Sequence, residues 1–326
     1  MENLPDFRLI RPGAVDQAIA ALDQAPGARL LAGGSDLIPN MRRGLVDTDL
    51  VIDLSGIDEL HRLEAEDSAL FIGAGVTLTE AAEHPVLRRD YPAVAEAADS
   101  VAGPTQRAMA TVGGNICLDT RCIFFNQSEW WRRSVGYCLK YRGEMCHVVP
   151  TAKRCYATYS GDLAAALLIY DAEAEIAGPA GRRRLALGDL FVDDGAAHLA
   201  LSKNEVLVGV RLPDSGSDLK SGYEKIRIRG SIDFPLAGIA AGLRLTDGLM
   251  GTLRIGLTGT NATPIGFDVS DRFAGRPLDD AAGAELRKLI EKTVSPLRTT
   301  LIQPQYRRRA IGGVAVRLVE RLRADY

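Results

Sequence analysis

The chain has 326 residues, enough for two or three domains of about 100–200 residues each. It is 46% hydrophobic and 25% charged, the composition of an ordinary globular protein. A net charge of -3 removes any general electrostatic case for nucleic acid or an anionic membrane as partner.

No window approaches the roughly 20 apolar residues of a membrane span. The opening MENLPDFRLIRPGAVDQ carries no apolar signal core. The expectation is a soluble, cytoplasmic protein.

In chain order, Ala14–Leu22 places Ala18, Ile19 and Leu22 on one helical face, followed by short apolar strands at Ala28–Ala32 and Asp49–Leu54. Strands alternating with helices predict a small parallel βαβ unit over residues 1–56. A second unit, 57–213, opens with a strand at Leu70–Gly73 and helices at Thr77–Glu83 and Tyr91–Ser100. It continues through the Gly-rich Ala110–Ile116, a helix at Asp162–Asp171, and strands at Glu173–Ile176, Arg183–Ala186 and Val206–Leu212.

Residues 213–222 (PDSGSDLKSG) read as a linker. Beyond it, 217–326 should form three antiparallel strands, Tyr223–Ile228, Leu236–Leu245 and Thr252–Gly259, with Asp247-Gly248 as the hairpin turn. Helices at Asp280–Thr293 and Arg307–Arg323 close the chain, the second with Ile311, Val314, Leu318 and Leu322 on one stripe. The fold class is α+β.

Two Gly-rich segments follow apolar runs. They are Leu30, Leu31, Ala32, Gly33, Gly34, Ser35, Asp36 and Leu37, and then Thr111, Val112, Gly113, Gly114 and Asn115. Glycine lets backbone N–H groups approach an anion closely, and Ser35, Thr111 and Asn115 add side-chain donors. Neither segment is G-x-G-x-x-G or ends in Gly-Lys-Ser/Thr, so a standard dinucleotide fingerprint and a P-loop are both unsupported.

All five cysteines, Cys117, Cys122, Cys138, Cys146 and Cys155, fall within residues 117–155. An odd, crowded set in a cytosolic chain points to metal or redox chemistry before disulfides. Four of them lie in 120–158, an aperiodic segment rich in aromatic and basic residues, spaced Cys122-x15-Cys138-x7-Cys146-x8-Cys155. Four thiolates suit a 4Fe-4S cluster. Zinc usually takes closer Cys-x2–4-Cys pairs, which disfavours it without removing it.

Cys117 reads as a packed thiol, with the exchange of Cys117 for Cys122 as the competing ligand set. Arg121, Arg132, Arg133, Lys140, Arg142, Lys153 and Arg154 face only Glu129 and Glu144 in this stretch. They offset cluster charge, form a docking patch or are simply solvated. Phe124, Phe125, Trp130, Trp131 and Tyr137 either shield a cluster or pack the segment.

The ordered set LLAGGSDL, TVGGNIC, DLAAALLIYDAE, EVLVGVRLP and YEKIRIRGSIDFPLAG closely resembles the FAD-binding subunits of the molybdenum hydroxylases over roughly 5–322. The resemblance implies their two-subdomain FAD-binding fold. It places the two Gly loops at the FAD pyrophosphate, Asp162 beside the ribityl chain, Val206 or Leu207 beside the isoalloxazine, and Lys225 near the flavin. An exposed strand lysine is the plain alternative for Lys225.

In those relatives the second loop runs directly into the aspartate–helix segment, whereas here Asn115 and Asp162 are 47 positions apart. The added four-cysteine segment resembles the beta subunits of 4-hydroxybenzoyl-CoA reductases. That implies FAD and a 4Fe-4S cluster ligated by Cys122, Cys138, Cys146 and Cys155. It also implies ferredoxin as electron donor, and molybdopterin and 2Fe-2S subunits as partners in a dimer of heterotrimers. A flavin subunit of another molybdenum hydroxylase, or a scaffold with a zinc-stapled insertion, is the alternative. The chain itself shows no catalytic triad and no room for a molybdopterin domain, so no catalytic residue is assigned.

Overall fold

The computed structural model describes residues 4–66, 68–324 and 326. Strand β1 (Arg8–Ile10), helix α1 (Val15–Gln24), β2 (Arg29–Leu31), α2 (Leu37–Arg42) and β3 (Leu50–Asp53) form the first unit. Its sheet is parallel in the order β1-β3-β2, as the alternation of strands and helices predicts. Val15, Ala18, Ile19 and Leu22 of α1 are buried, so the 3.6-residue stripe faces the core.

The second unit begins with β4 (Leu63–Glu66) and β5 (Ala69–Gly73). Short helices follow: α3 (Leu78–Glu83), α4 (Pro85–Asp90), α5 (Pro92–Ser100), α6 (Pro104–Arg107), α7 (Val112–Ile116), α8 (Glu129–Ser134) and α9 (Leu163–Leu168). A capping box between Thr77 and Glu80 starts α3, and prolines open α4, α5 and α6, where a missing N–H costs nothing. Strands β6 (Glu173–Gly178), β7 (Gly181–Ala186) and β8 (Val206–Pro213) complete a five-stranded antiparallel sheet, β4-β5-β8-β6-β7. This sheet and the parallel one share a single hydrophobic core.

Helix α9 is shorter than its apolar run suggests. The chain turns at Asp171, with φ 56°, and Ala172 N–H bonds back to Leu167 O at 3.4 Å.

The third unit holds β9 (Lys220–Ile226), β10 (Ala237–Thr246), β11 (Leu249–Thr258), β12 (Ile265–Asp268), α10 (Ser270–Phe273), α11 (Asp280–Thr293) and α12 (Pro304–Ala324). The expectation of three strands is corrected to four, in the order β12-β11-β10-β9. Strand β12 has only four residues and alternates half-buried with exposed positions, too short a pattern to stand out. Strand β9 starts inside the stretch read as linker. Asp247 (φ 52°) and Gly248 (φ 76°) both adopt the left-handed region, as a type I′ hairpin turn between β10 and β11 requires.

Alternate residues of β10 face opposite ways. Ala237, Ile239, Ala241 and Leu243 pack with α11 and α12, while Ala240 joins the larger core. On that second face α9 lies against β11 at Gly256, where a Cβ would come within 1.9 Å of Ala165 O.

Arg307 of α12 is fully buried. It donates to Leu236 O at 2.8 Å, to Leu297 O at 3.1 Å and to Gly259 O, and burial lowers its pKa to about 10. It ties the last helix to the loops before β10 and after β11. Arg307→Met should cost roughly 2–4 kcal/mol by urea unfolding, because two buried carbonyls and one half-buried carbonyl lose a charged donor.

Candidate functional site

The two Gly-rich segments lie side by side. Leu78 N–H bonds to Ala110 O, and Val112 N–H to Val76 O, both at 2.8 Å, fixing the second segment beside β5. Gly33 sits so close to Met109 that a Cβ would fall 1.6 Å from its carbonyl oxygen. Gly34 has φ +69° and turns the first segment into α2. The backbone N–H groups of Gly33, Gly34, Ser35 and Asp36 meet no protein acceptor among the described residues. A run of free amide donors beside a glycine approach suits a pyrophosphate.

The expected polar side chains separate into different tasks. Thr111 caps α7, its Oγ1 accepting from Gly114 N–H at 3.1 Å. Asn115 is buried, and its Oδ1 accepts from Leu163 N–H at 2.9 Å, so it starts α9 rather than standing free for a ligand. Asp36 accepts from Asn40 at 3.0 Å and pairs with Arg121, so its carboxylate braces the loop. Val206 and Leu207 begin β8 with both side chains in the main core. Ala74 joins that strand to the second loop, donating to Val208 O and accepting from Gly113 N–H, both at 2.8 Å.

Asp162 and Lys225 meet. Their side chains are 2% and 4% exposed, and Lys225 Nζ donates to Asp162 Oδ2 at 3.1 Å and to Ser100 O at 3.3 Å. Tyr223 O–H donates to the other carboxylate oxygen at 2.6 Å. Lys225 is therefore not an exposed strand lysine. Tyr159 completes the support, its hydroxyl donating to Asn115 O at 3.2 Å and Ile116 O at 2.9 Å. Neither tyrosine carries a signal in the sequence, because a buried tyrosine is common in any core.

The cysteine-rich segment closes on itself. Arg121 and Thr158 exchange two backbone hydrogen bonds at 2.7 Å, joining the two ends of the segment. Within that loop Cys122, Cys138, Cys146 and Cys155 line one small cavity with Phe124 and Phe125. Cys117 lies apart, against the main core, so the set containing Cys122 is the one brought together. His147 also lines the cavity, with Nε2 at 2.5 Å from Tyr137 O.

Apolar burial pushes the free thiols up, Cys122 to about 11 and Cys155 to about 12. Amide N–H groups of Phe124 and Phe125 at Cys122, and of Ala157 at Cys155, act the other way, as does the Lys140 ammonium at Cys155. Such thiols are inert until a metal displaces their protons. Four cysteines around one small pocket, two of them with N–H donors at sulfur, are the ligand chemistry an iron–sulfur cluster takes. Among the described residues, no group of three or more His, Cys, Asp or Glu is spaced to hold a single metal ion.

The basic residues divide. Lys140 and Arg132 have buried side chains, Arg121 is mostly buried, and Arg133 and Arg142 are exposed. The aromatic shield is partial. Phe124 and Phe125 line the cavity, while Trp130 is 76% exposed.

Residues 5–215 match the family described as FAD binding domain in molybdopterin dehydrogenase, and 221–322 the family described as CO dehydrogenase flavoprotein C-terminal domain. The chain belongs to the FAD-binding subunits of the molybdenum hydroxylase family. This FAD-binding subunit is 32% identical over 275 residues to the aldehyde oxidoreductase FAD-binding subunit of Escherichia coli K12, covering 81% of this chain and 85% of that one. It is 28% identical to the carbon monoxide dehydrogenase medium chain of Afipia carboxidovorans, covering 98% and 97%. The reconstituted CO dehydrogenase from Oligotropha carboxidovorans superposes with a TM-score of 0.81 at 26% identity, over 99% of both chains. No helix among the described residues is long and apolar enough to cross a membrane.

The buried pair yields a direct test on this FAD-binding subunit. Lys225→Met strands the Asp162 carboxylate and should cost about 3–5 kcal/mol. Adding Asp162→Asn should recover part of that loss. Thermal unfolding with parallel flavin quantitation reads both.

Proposed function

We propose that the chain is the beta subunit of a 4-hydroxybenzoyl-CoA reductase. In this role it carries FAD and a 4Fe-4S cluster and passes electrons from reduced ferredoxin toward 2Fe-2S clusters and a molybdenum site in partner subunits. There 4-hydroxybenzoyl-CoA is reductively dehydroxylated to benzoyl-CoA. The observation that carries the reading is the convergence of Cys122, Cys138, Cys146 and Cys155 on one cavity, inside a segment that separates the second Gly loop from Asp162.

The free amides of Gly33–Asp36 and the hydroxyls of Ser35 and Thr111 would hold the FAD pyrophosphate. Leu30–Ala32 and Leu37 frame the first loop, and Val112–Asn115 the second. Asp162 would accept from the ribityl hydroxyls, while the strand position at Val206 or Leu207 flanks the ring system. The four cysteines would ligate the cluster, and Phe124 and Phe125 would keep water from it. When bound, FAD supplies both one- and two-electron chemistry and the cluster one-electron chemistry, while the protein binds, orients and tunes them.

Two features support a place in a larger assembly. The relative from Afipia carboxidovorans is named as one chain of its enzyme. The two family matches, over residues 5–215 and 221–322, are a FAD binding domain and a flavoprotein C-terminal domain. The proposed assembly is a dimer of heterotrimers, in the cytoplasm, with one molybdopterin subunit and one 2Fe-2S subunit per trimer.

Anaerobic analysis of the purified complex tests the reading. About four irons with matching sulfide per chain beyond those of the 2Fe-2S partner are expected, with one FAD and benzoyl-CoA formed from 4-hydroxybenzoyl-CoA. Cys138→Ser should lose that iron and keep FAD, whereas Cys117→Ser should keep both. Zinc without extra sulfide would sink the cluster assignment. A full cluster with no turnover of 4-hydroxybenzoyl-CoA would sink the substrate.

A further inference from the structure

An iron–sulfur cluster held by four thiolates is anionic, and reducing it adds one more negative charge. Apart from His147 and Lys140, the four-cysteine cavity is lined by apolar side chains, so a fixed charge at its wall acts with little screening. Lys140 is such a charge. It lines the cavity, and its side chain is 5% exposed.

Nζ is immobilised by three acceptors, Thr120 Oγ1 at 2.6 Å, Asp119 Oδ1 at 2.7 Å and Gly195 O at 2.7 Å. It stands 5.2 Å from the centre of the Phe125 ring, which lines the same cavity. Of the three acceptors only Asp119 is ionic, and its side chain is 39% exposed, so water screens the carboxylate far more than the ammonium. No other Lys or Arg, and no carboxylate, lines the cavity among the described residues. The ammonium cannot swing away, since Thr120 and Gly195 belong to the buried scaffold at the base of the insertion.

We propose that Lys140 is a positioning residue that raises the reduction potential of the centre bound by Cys122, Cys138, Cys146 and Cys155, through a fixed positive charge at the cavity wall. The inference rests on the four-cysteine reading above. It gives the insertion a second task beyond supplying ligands: it brings a buried cation to the cluster that the rest of the flavin fold does not provide.

The test is an EPR-monitored redox titration of the intact complex, with iron and sulfide counted in each preparation. Lys140→Met keeps the length of the stem and removes the charge. Its reduced-to-oxidised ratio at the wild-type midpoint should fall about tenfold, a negative shift of roughly 59 mV for one electron. Lys140→Arg should restore most of the wild-type midpoint. Asp119→Asn keeps an oxygen acceptor for Nζ, removes the opposing charge and should shift the midpoint the other way.

Opposite shifts in Lys140→Met and Asp119→Asn support the inference, since simple loss of structure does not change sign between them. A Lys140→Met complex with full iron and sulfide and an unmoved midpoint overturns it. If Lys140→Met loses its cluster, an unmoved midpoint in Asp119→Asn overturns it and a positive shift upholds it. Wild-type complex without the additional iron and sulfide defeats the cluster reading itself, and this inference with it.

Discussion

The buried carboxylate of Asp162 is the point on which the site depends. It sits at the start of α9, whose first N–H is capped by Asn115 from the second Gly loop. Its two oxygens are held by Tyr223 and Lys225 from β9, and Lys225 reaches on to Ser100 at the end of α5. One carboxylate therefore links the second Gly loop, the central helix and the first strand of the C-terminal sheet. An unpaired charge at 2% exposure would be costly, so the pairing is a condition of the fold and not an ornament on it.

The cysteine-rich segment obeys a different logic. It is a loop closed by the reciprocal Arg121–Thr158 hydrogen bonds, and its interior is a small cluster built from Leu45, Cys122, Phe125, Cys155 and Ala157. It is bonded to the rest of the chain on several sides, Gly195 N–H donating to Cys155 O at 2.9 Å among them. Arg132 donates to Gly44 O at 2.7 Å, Ile123 N–H to Thr299 O at 2.9 Å, and Thr158 meets Thr299 at 2.6 Å. Arg121 also reaches from the base of the loop to Asp36 in the first Gly segment, and its guanidinium stacks at 4.7 Å over Phe234. The segment is thereby tied to the first Gly segment by a charge-assisted bond, while its own core is too small to be stable from apolar burial alone.

Much of the architecture was legible because it rests on periodicity and turn chemistry. The stripe of α1, the alternating strand of β10 and the Asp247-Gly248 turn all follow from side-chain direction and backbone freedom. The short β12 and the early start of β9 were not legible, because four residues define no period and a strand can run through polar residues when its neighbour supplies the ladder. The site was half legible. Glycine pairs and cysteine spacing announce themselves locally, but the side chains that hold them, Tyr159, Tyr223 and Arg121, act across 43 to 85 positions of sequence.

The sequence by itself determined the α+β class, the two Gly segments and the set of thiols available, since each is written in spacing or in residue type. Only the tertiary structure decided that Lys225 is buried on Asp162, that Asn115 caps a helix, that Cys122 and not Cys117 joins the other three cysteines, and that Lys140 faces their cavity. Those outcomes depend on which distant backbones pack together. Burial then fixes whether a charge is solvated or must find a partner, and that balance cannot be read from neighbours along the chain.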